Sequence, residues 1–97
     1  MVRPAPLVAD EIAAALGELP GWALVDGRRH RVVERADFPS ALAFMVQVGF
    51  VAEQLDHHPD WSNSYRTVTI DLFTHDVGGL TRLDIDLARA VDRVLGS

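Results

Sequence analysis

Near the start of the chain Leu7, Val8, Ile12, Ala15, Leu16 and Leu19 recur at the spacing of a helix. Asp10 and Glu11 suit the positive end of that helix, and Pro20-Gly21 stops it. The period then changes. Two short β-prone runs, Trp22–Val25 and Arg28–Glu34, flank Asp26-Gly27, a pair that favours the positive φ of a type I′ hairpin turn. From Asp37 onward the helical spacing returns and lasts longest. Ala41, Phe44, Met45, Val48, Ala52 and Leu55 define one face; Leu42, Val46 and Phe50 define a second. Asp37 is the expected N-cap, with Pro39 in the first turn. Pro59 disfavours helical geometry at His58 and ends the helix near there. A helix apolar over so wide an arc is buried on more than one side. One face is expected to meet the sheet and the other a partner subunit.

Strict alternation follows. Val68, Ile70, Leu72 and Thr74 form the better core face, and Thr69, Asp71, Phe73 and His75 the opposite one. Trp61–Tyr65 reads as a further short strand turned back at Arg66-Thr67, although that pair lacks the usual turn residues. Gly78-Gly79 bends the chain after the strand. Thr81 and Asp84 then make a capping-box variant that opens a helix bearing Leu87, Val91, Val94 and Leu95, with Gly96 at its end. The order is α-β-β-α-β-β-α. The expected fold is α+β with two layers, a four-stranded antiparallel sheet and helices packed on one face, in a single domain over residues 1–97.

Composition narrows the function. A chain of 97 residues buries only about 60–65% of its unfolded surface, so it gains from oligomerising. It has no cysteine, which excludes disulfides and thiolate metal sites. No apolar run approaches the roughly 20 residues of a membrane span, and the N-terminal segment carries acids where a signal peptide would be apolar. A cytoplasmic protein with no membrane partner is expected. The net charge of 9 − 14 = −5 disfavours nucleic-acid binding. All nine basic residues are arginine, which reads as genome composition. Arg28, Arg29, His30 and Arg31 follow one another on a strand, so they alternate between faces and make no phosphate patch. A solvated edge strand is the expectation there.

Chemistry concentrates in Asp56-His57-His58-Pro59-Asp60-Trp61. His57 and His58 fall at the C-terminal end of the long helix, whose dipole, with Glu53 and Asp56 nearby, welcomes positive charge. His75 falls at a strand end just before the Gly-Gly bend. Strand end and helix end can share a cleft, and clustered imidazoles suit proton transfer near neutral pH. Plain alternatives stand beside this. The histidine pair can be surface decoration. Three imidazoles suffice for zinc, but their spacing matches no compact zinc motif. Trp22 and Trp61 fit core roles, and Asp84 fits a helix cap. Gly-rich phosphate loops, serine nucleophile elbows and EF-hand patterns do not occur.

The run Glu53-x-x-x-His57-His58-Pro59-x-Trp61-x-Asn63-x-Tyr65, then Val68-x-Ile70-x-Leu72-x-Thr74-His75-Asp76-x-Gly78-Gly79-Leu80-Thr81, then Asp84, resembles the pterin-4a-carbinolamine dehydratase family. The resemblance extends from the Pro20-Gly21-Trp22 corner to the last helix. It implies dehydration of a 4a-hydroxytetrahydropterin to the quinonoid dihydropterin without metal or organic cofactor. That activity would recycle the pterin of an aromatic amino acid hydroxylase. It implies catalytic roles for His57, His58 and His75, and substrate binding by Pro59, Thr74, Asp76, Val77, Trp22, Asp84 and Glu53. Of the three histidines, His57 and His75 are assigned the acid–base work and His58 the grip on substrate. A homodimer or homotetramer is implied as well. The chain departs from the pattern at Arg82-Leu83, where relatives often carry polar or oppositely charged residues and Leu83 is apolar, and at Val77, larger than in several relatives. Two other function classes compete: a protein-binding role, as in animal members that assist dimerisation of a homeodomain transcription factor, and pterin binding without turnover.

Overall fold

The computed structural model of the protein describes residues 4–96. Asp26 and Gly27 take φ of 50° and 75°, the two positive values that a type I′ turn requires. They join β1 (Ala23–Val25) to β2 (Arg28–Glu34). The second hairpin joins β3 (Asp60–Ser64) to β4 (Thr67–Leu72). Its register pairs Ser64 with Thr67, so the turn lies at Tyr65-Arg66, one residue earlier than expected. Tyr65 takes a φ of 52°, and the Asn63 amide donates to the Tyr65 and Thr67 carbonyl oxygens at 3.0 Å each. That side-chain brace does the work for which the turn pair itself lacks glycine or asparagine.

The strands pair antiparallel in the order β1-β2-β4-β3. Helices α1 (Ala9–Glu18), α2 (Phe38–Leu55) and α3 (Arg82–Leu95) complete the two-layer α+β fold in the expected order. Asp37 caps α2 by accepting the Ser40 N–H at 2.8 Å, with Pro39 in the first turn. Val68, Ile70 and Leu72 are fully buried and meet Phe44, Val48 and Ala52 of α2 and Leu87, Ala88 and Val91 of α3. Strand period and helix period thus converge on one core.

The opposite face of α2 carries Phe38, Leu42, Val46 and Phe50 to the surface, the last 71% exposed. The 18 residues of α2 make it long and apolar enough to cross a bilayer by length and composition, a possibility the sequence reading set aside. Its buried stripe of Ala41, Phe44, Val48 and Ala52 binds it into the globule.

The arginine cluster corrects an expectation. β2 lies between β1 and β4, so it is an interior strand and not a solvated edge. Edge or interior is decided by long-range pairing, which strand alternation does not encode. Arg29 and Arg31 point into the helix layer. Arg31 Nη1 meets Asp92 Oδ1 of α3 at 2.7 Å. Gly21 allows that approach, because a Cβ there would stand 2.6 Å from Arg31 Nη1. Arg29 is fully buried; Nη2 reaches the Leu19 carbonyl at 3.5 Å, while Nε and Nη1 have no partner among the described residues. Burial pulls its guanidinium below the ordinary arginine value, and the charge of Asp92 opposes that shift.

Candidate active site

One backbone residue, just before them, sends the two adjacent histidines to opposite sides. Asp56 adopts the left-handed conformation at φ 51° and ends α2, with its N–H bonded to the Ala52 and Glu53 carbonyls. The His57 N–H bonds back to the Ala52 carbonyl at 3.1 Å. This reversal turns the His57 side chain inward, where the residue is 5% exposed, and leaves His58 in solvent. His58 Nε2 meets Glu53 Oε1 at 2.9 Å on the surface.

Inside, His57 Nε2 lies 2.6 Å from Asp84 Oδ1. Asp84 is fully buried in the first turn of α3. Its second oxygen accepts from Thr74 Oγ1 at 2.7 Å and from the Thr81 N–H at 2.9 Å. Thr74 continues the inward parity of β4 past its last residue. The hydroxyls of Thr74 and Thr81 are 2.8 Å apart, and Thr81 Oγ1 also accepts the Leu83 N–H at 3.2 Å. The donors therefore run in one direction, from Leu83 N–H to Thr81, from Thr81 to Thr74, and from Thr74 to Asp84. Asp84 Oδ2 thus accepts two hydrogen bonds, and the carboxylate's Oδ1 offers His57 an acceptor. His57 must then donate through Nε2, which leaves Nδ1 as the basic ring nitrogen of the neutral imidazole. Among the described residues Nδ1 has no hydrogen-bond partner.

His75 lies on the other side of the same strand end. It opens a short 3₁₀ turn, His75–Val77, closed by Gly78 at φ 68°. Its Nε2 meets Asp60 Oδ2 at 2.8 Å. Its ring stands edge-on to Phe73, with centroids 5.3 Å apart. Arg28 Nη1 meets the same Asp60 oxygen at 2.9 Å and its guanidinium lies 4.6 Å over the Phe73 ring. A concavity of about 340 Å³ opens beside this group on the uncovered sheet face, lined by Val25, Asp26, Arg28, His30, Asp60 and Asp71.

The structure thus joins His57 and Thr74 through Asp84, with His75 next to Thr74 and Pro59 two residues after His57 in the chain. Val77 is half-buried in the 3₁₀ turn and Asp76 is exposed beside it. Glu53 touches the site only through His58. Trp22 stands apart: it is buried, with Nε1 donating to Asp92 at 2.9 Å. Asp92 is eight residues along α3 from Asp84, about 12 Å at the helical rise. Thr81, Asp60, Arg28 and Phe73 were not singled out for the site from sequence. The signal for Phe73 was present, since it shares the outward parity of His75. Among the described residues no three acidic or imidazole side chains converge as metal ligands; each site histidine is bonded to its own carboxylate.

This geometry can be set beside known proteins. The sequence pattern of the family described as pterin 4 alpha carbinolamine dehydratase matches residues 5–94. The chain belongs to this family. A Bradyrhizobium relative, provisionally named pterin-4-alpha-carbinolamine dehydratase, is 51% identical over 90 residues, 91% of this chain and 90% of its own length. A similarly named Prochlorococcus marinus relative is 45% identical over 86 residues, covering 89% of this chain and 90% of its own. The crystal structure of a transcriptional coactivator/pterin dehydratase from Brucella melitensis superposes with a TM-score of 0.87 at 43% identity, covering 92% of this chain and 97% of that one. The family match thus runs over residues 5–94 rather than over one short segment.

Proposed function

We propose that the protein dehydrates 4a-hydroxytetrahydropterin to quinonoid dihydropterin and water in the cytoplasm, as a step in tetrahydropterin recycling for an aromatic amino acid hydroxylase. The observation that carries this reading is the buried His57–Asp84 pair, in a chain that belongs to the dehydratase family. The elimination breaks the C4a–O bond. One proton reaches the departing hydroxyl, and one leaves the neighbouring ring nitrogen. His57 takes the ring-nitrogen proton through Nδ1, since Nε2 is held by Asp84. His75, in its charged form, delivers a proton to the hydroxyl. The two protons balance, and the enzyme returns to its starting state after proton exchange with water. His58, exposed beside Pro59, grips and orients the pterin, with Asp76 and Val77 along the 3₁₀ turn. Positioned acid and base groups supply about 10²–10⁴-fold each.

Stopped-flow decay of the 4a-hydroxytetrahydropterin, with and without protein, tests the activity. His57→Ala and His75→Ala test the roles; turnover within about threefold of wild type for either would remove that residue from the acid–base pair. The exposed stripe on α2 and the open edge strand β3 support assembly into a homodimer or homotetramer. A second reading, a protein-binding role, draws on the coactivator in the name of the Brucella relative and on the same stripe. A stoichiometric protein partner together with no dehydration would favour it.

A further inference from the structure

We infer that Asp60 and Arg28 are positioning residues for His75, forming with Phe73 a four-membered clamp on the open face of the sheet. This rests on the acid–base role given to His75 above. The side chains of His75 and Asp60 are 61% and 49% exposed, so burial holds neither. An exposed imidazole samples several rotamers unless contacts select one. Here two contacts do: the 2.8 Å bond to Asp60 and the edge-on packing against Phe73. Asp60 is held in turn by Arg28, whose guanidinium also covers the Phe73 ring. The contacts close into a ring: Arg28 to Asp60, Asp60 to His75, His75 to Phe73, Phe73 to Arg28.

The fold explains why these four meet. β2 and β3 flank β4, so Arg28 at the start of β2 and Asp60 at the start of β3 stand on either side of the β4 end. Asp60 pairs with Asp71 and so faces the open side, as does Phe73 two residues on. Arg28 reaches across the strand end over Phe73. The consequence for His75 is chemical. With Nε2 donating to a carboxylate, Nδ1 is the nitrogen left for substrate. Asp60 therefore does at the surface what Asp84 does in the core. In both histidines Nε2 is the nitrogen bonded to a carboxylate, and Nδ1 is the one left over.

The test combines steady-state kinetics with side-chain ¹⁵N NMR of the histidines. It uses the full chain and the variants Asp60→Ala, Asp60→Glu, Arg28→Met, His75→Ala and Asp60→Ala/His75→Ala, with circular dichroism as the folding control. Asp60→Ala is expected to lower kcat about tenfold with KM within about twofold, because it loosens a reacting group rather than removing a substrate contact. Asp60→Glu should recover part of that loss, and Arg28→Met should show a smaller fall of the same kind. In the His75→Ala background, Asp60→Ala should cost nothing further. The neutral His75 ring should be the Nε2–H tautomer alone in the wild type and a mixture of the Nε2–H and Nδ1–H tautomers in Asp60→Ala. An unchanged kcat in Asp60→Ala, or an equal further loss on top of His75→Ala, would overturn the positioning role while leaving His75 as the acid. If His75→Ala itself turns over normally, the acid assignment fails, and NMR then judges the clamp alone. A His75 tautomer that ignores the Asp60 substitution overturns it.

Discussion

Asp84→Asn is the substitution on which the buried pair stands or falls, because the shape is kept and only the hydrogen-bond polarity changes. All three groups facing the carboxylate donate: His57 Nε2–H at 2.6 Å, Thr74 O–H at 2.7 Å and Thr81 N–H at 2.9 Å. An amide has one accepting and one donating end. If its NH₂ faced Thr81, two donors would confront each other in a sealed site, at a cost of about 1–3 kcal/mol for the unsatisfied group. If its NH₂ faced His57, the imidazole could move its proton to Nδ1 and accept at Nε2. That shift costs far less, so the second arrangement wins. The oxygen then still serves Thr74 and Thr81, and the α3 cap survives.

The stability change should be small. Bonds to charged groups are worth about 1.5–3 kcal/mol against about 0.5–1.5 for neutral ones, but the buried charge and its desolvation penalty disappear together. A net change within about 2 kcal/mol is expected in urea unfolding. Activity should respond differently. With Nδ1 protonated, His57 cannot accept the ring-nitrogen proton, and kcat should fall by about 10²–10⁴-fold, the range of one general base. The wrong-tautomer variant of a serine-protease triad loses about 10⁴-fold by the same logic. ¹⁵N spectra should show the His57 proton moving from Nε2 to Nδ1. An Asp84→Asn protein that folds and keeps kcat within about threefold of wild type would refute both the tautomer argument and the assignment of His57 as base.

Other outcomes follow from single contacts. Arg29→Met removes a buried guanidinium with two unpartnered nitrogens, while Arg31 and Trp22 still hold Asp92; the urea midpoint should rise with m unchanged, by about 1–2 kcal/mol of stability. A loss greater than about 1 kcal/mol would show that Asp92 needs Arg29 as well. Leu42→Glu with Phe50→Glu charges the exposed stripe of α2, and where the wild type sediments as the proposed oligomer the variant should sediment as monomers. A wild-type protein already monomeric would remove the stripe as an interface. The Asp37 carboxyl sits below its ordinary 3.8, through the side-chain and then the backbone hydrogen bond from Ser40. A depressed folded value stabilises above the unfolded value and is lost as pH falls through the folded one. The melting-temperature gap between wild type and Asp37→Ala should therefore be constant near neutrality and close below 3.8.

Why the site was only partly legible can be argued residue by residue. The inward parity of Thr74 and the capping box of Thr81 and Asp84 were readable, because both depend on residues two or three apart. The contact of His57 with Asp84 spans 27 residues and depends on Asp56 taking φ 51°, a conformation aspartate adopts only when its surroundings select it. The end of α2 was attributed to Pro59, yet the residue that reverses the chain is Asp56, and the reversal sends one histidine inward and the other out. Arg28 and Asp60 were hidden for a related reason. Each begins a strand, and they meet only because β4 lies between β2 and β3.

Asp84 shows the deeper difficulty. A carboxylate at the third position of a helix has two oxygens, and capping occupies one. Here Oδ2 takes the Thr81 N–H and the Thr74 hydroxyl, which fixes the side chain and leaves Oδ1 aimed at His57. The cap is thus the device that orients the pair to which proton transfer is assigned in the proposed function. Helix-capping logic alone already accounts for the residue, so its sequence signal was saturated before the second role could show. Only Oδ1 separates the two readings, and Asp84→Asn changes what that atom can offer His57 while keeping the cap.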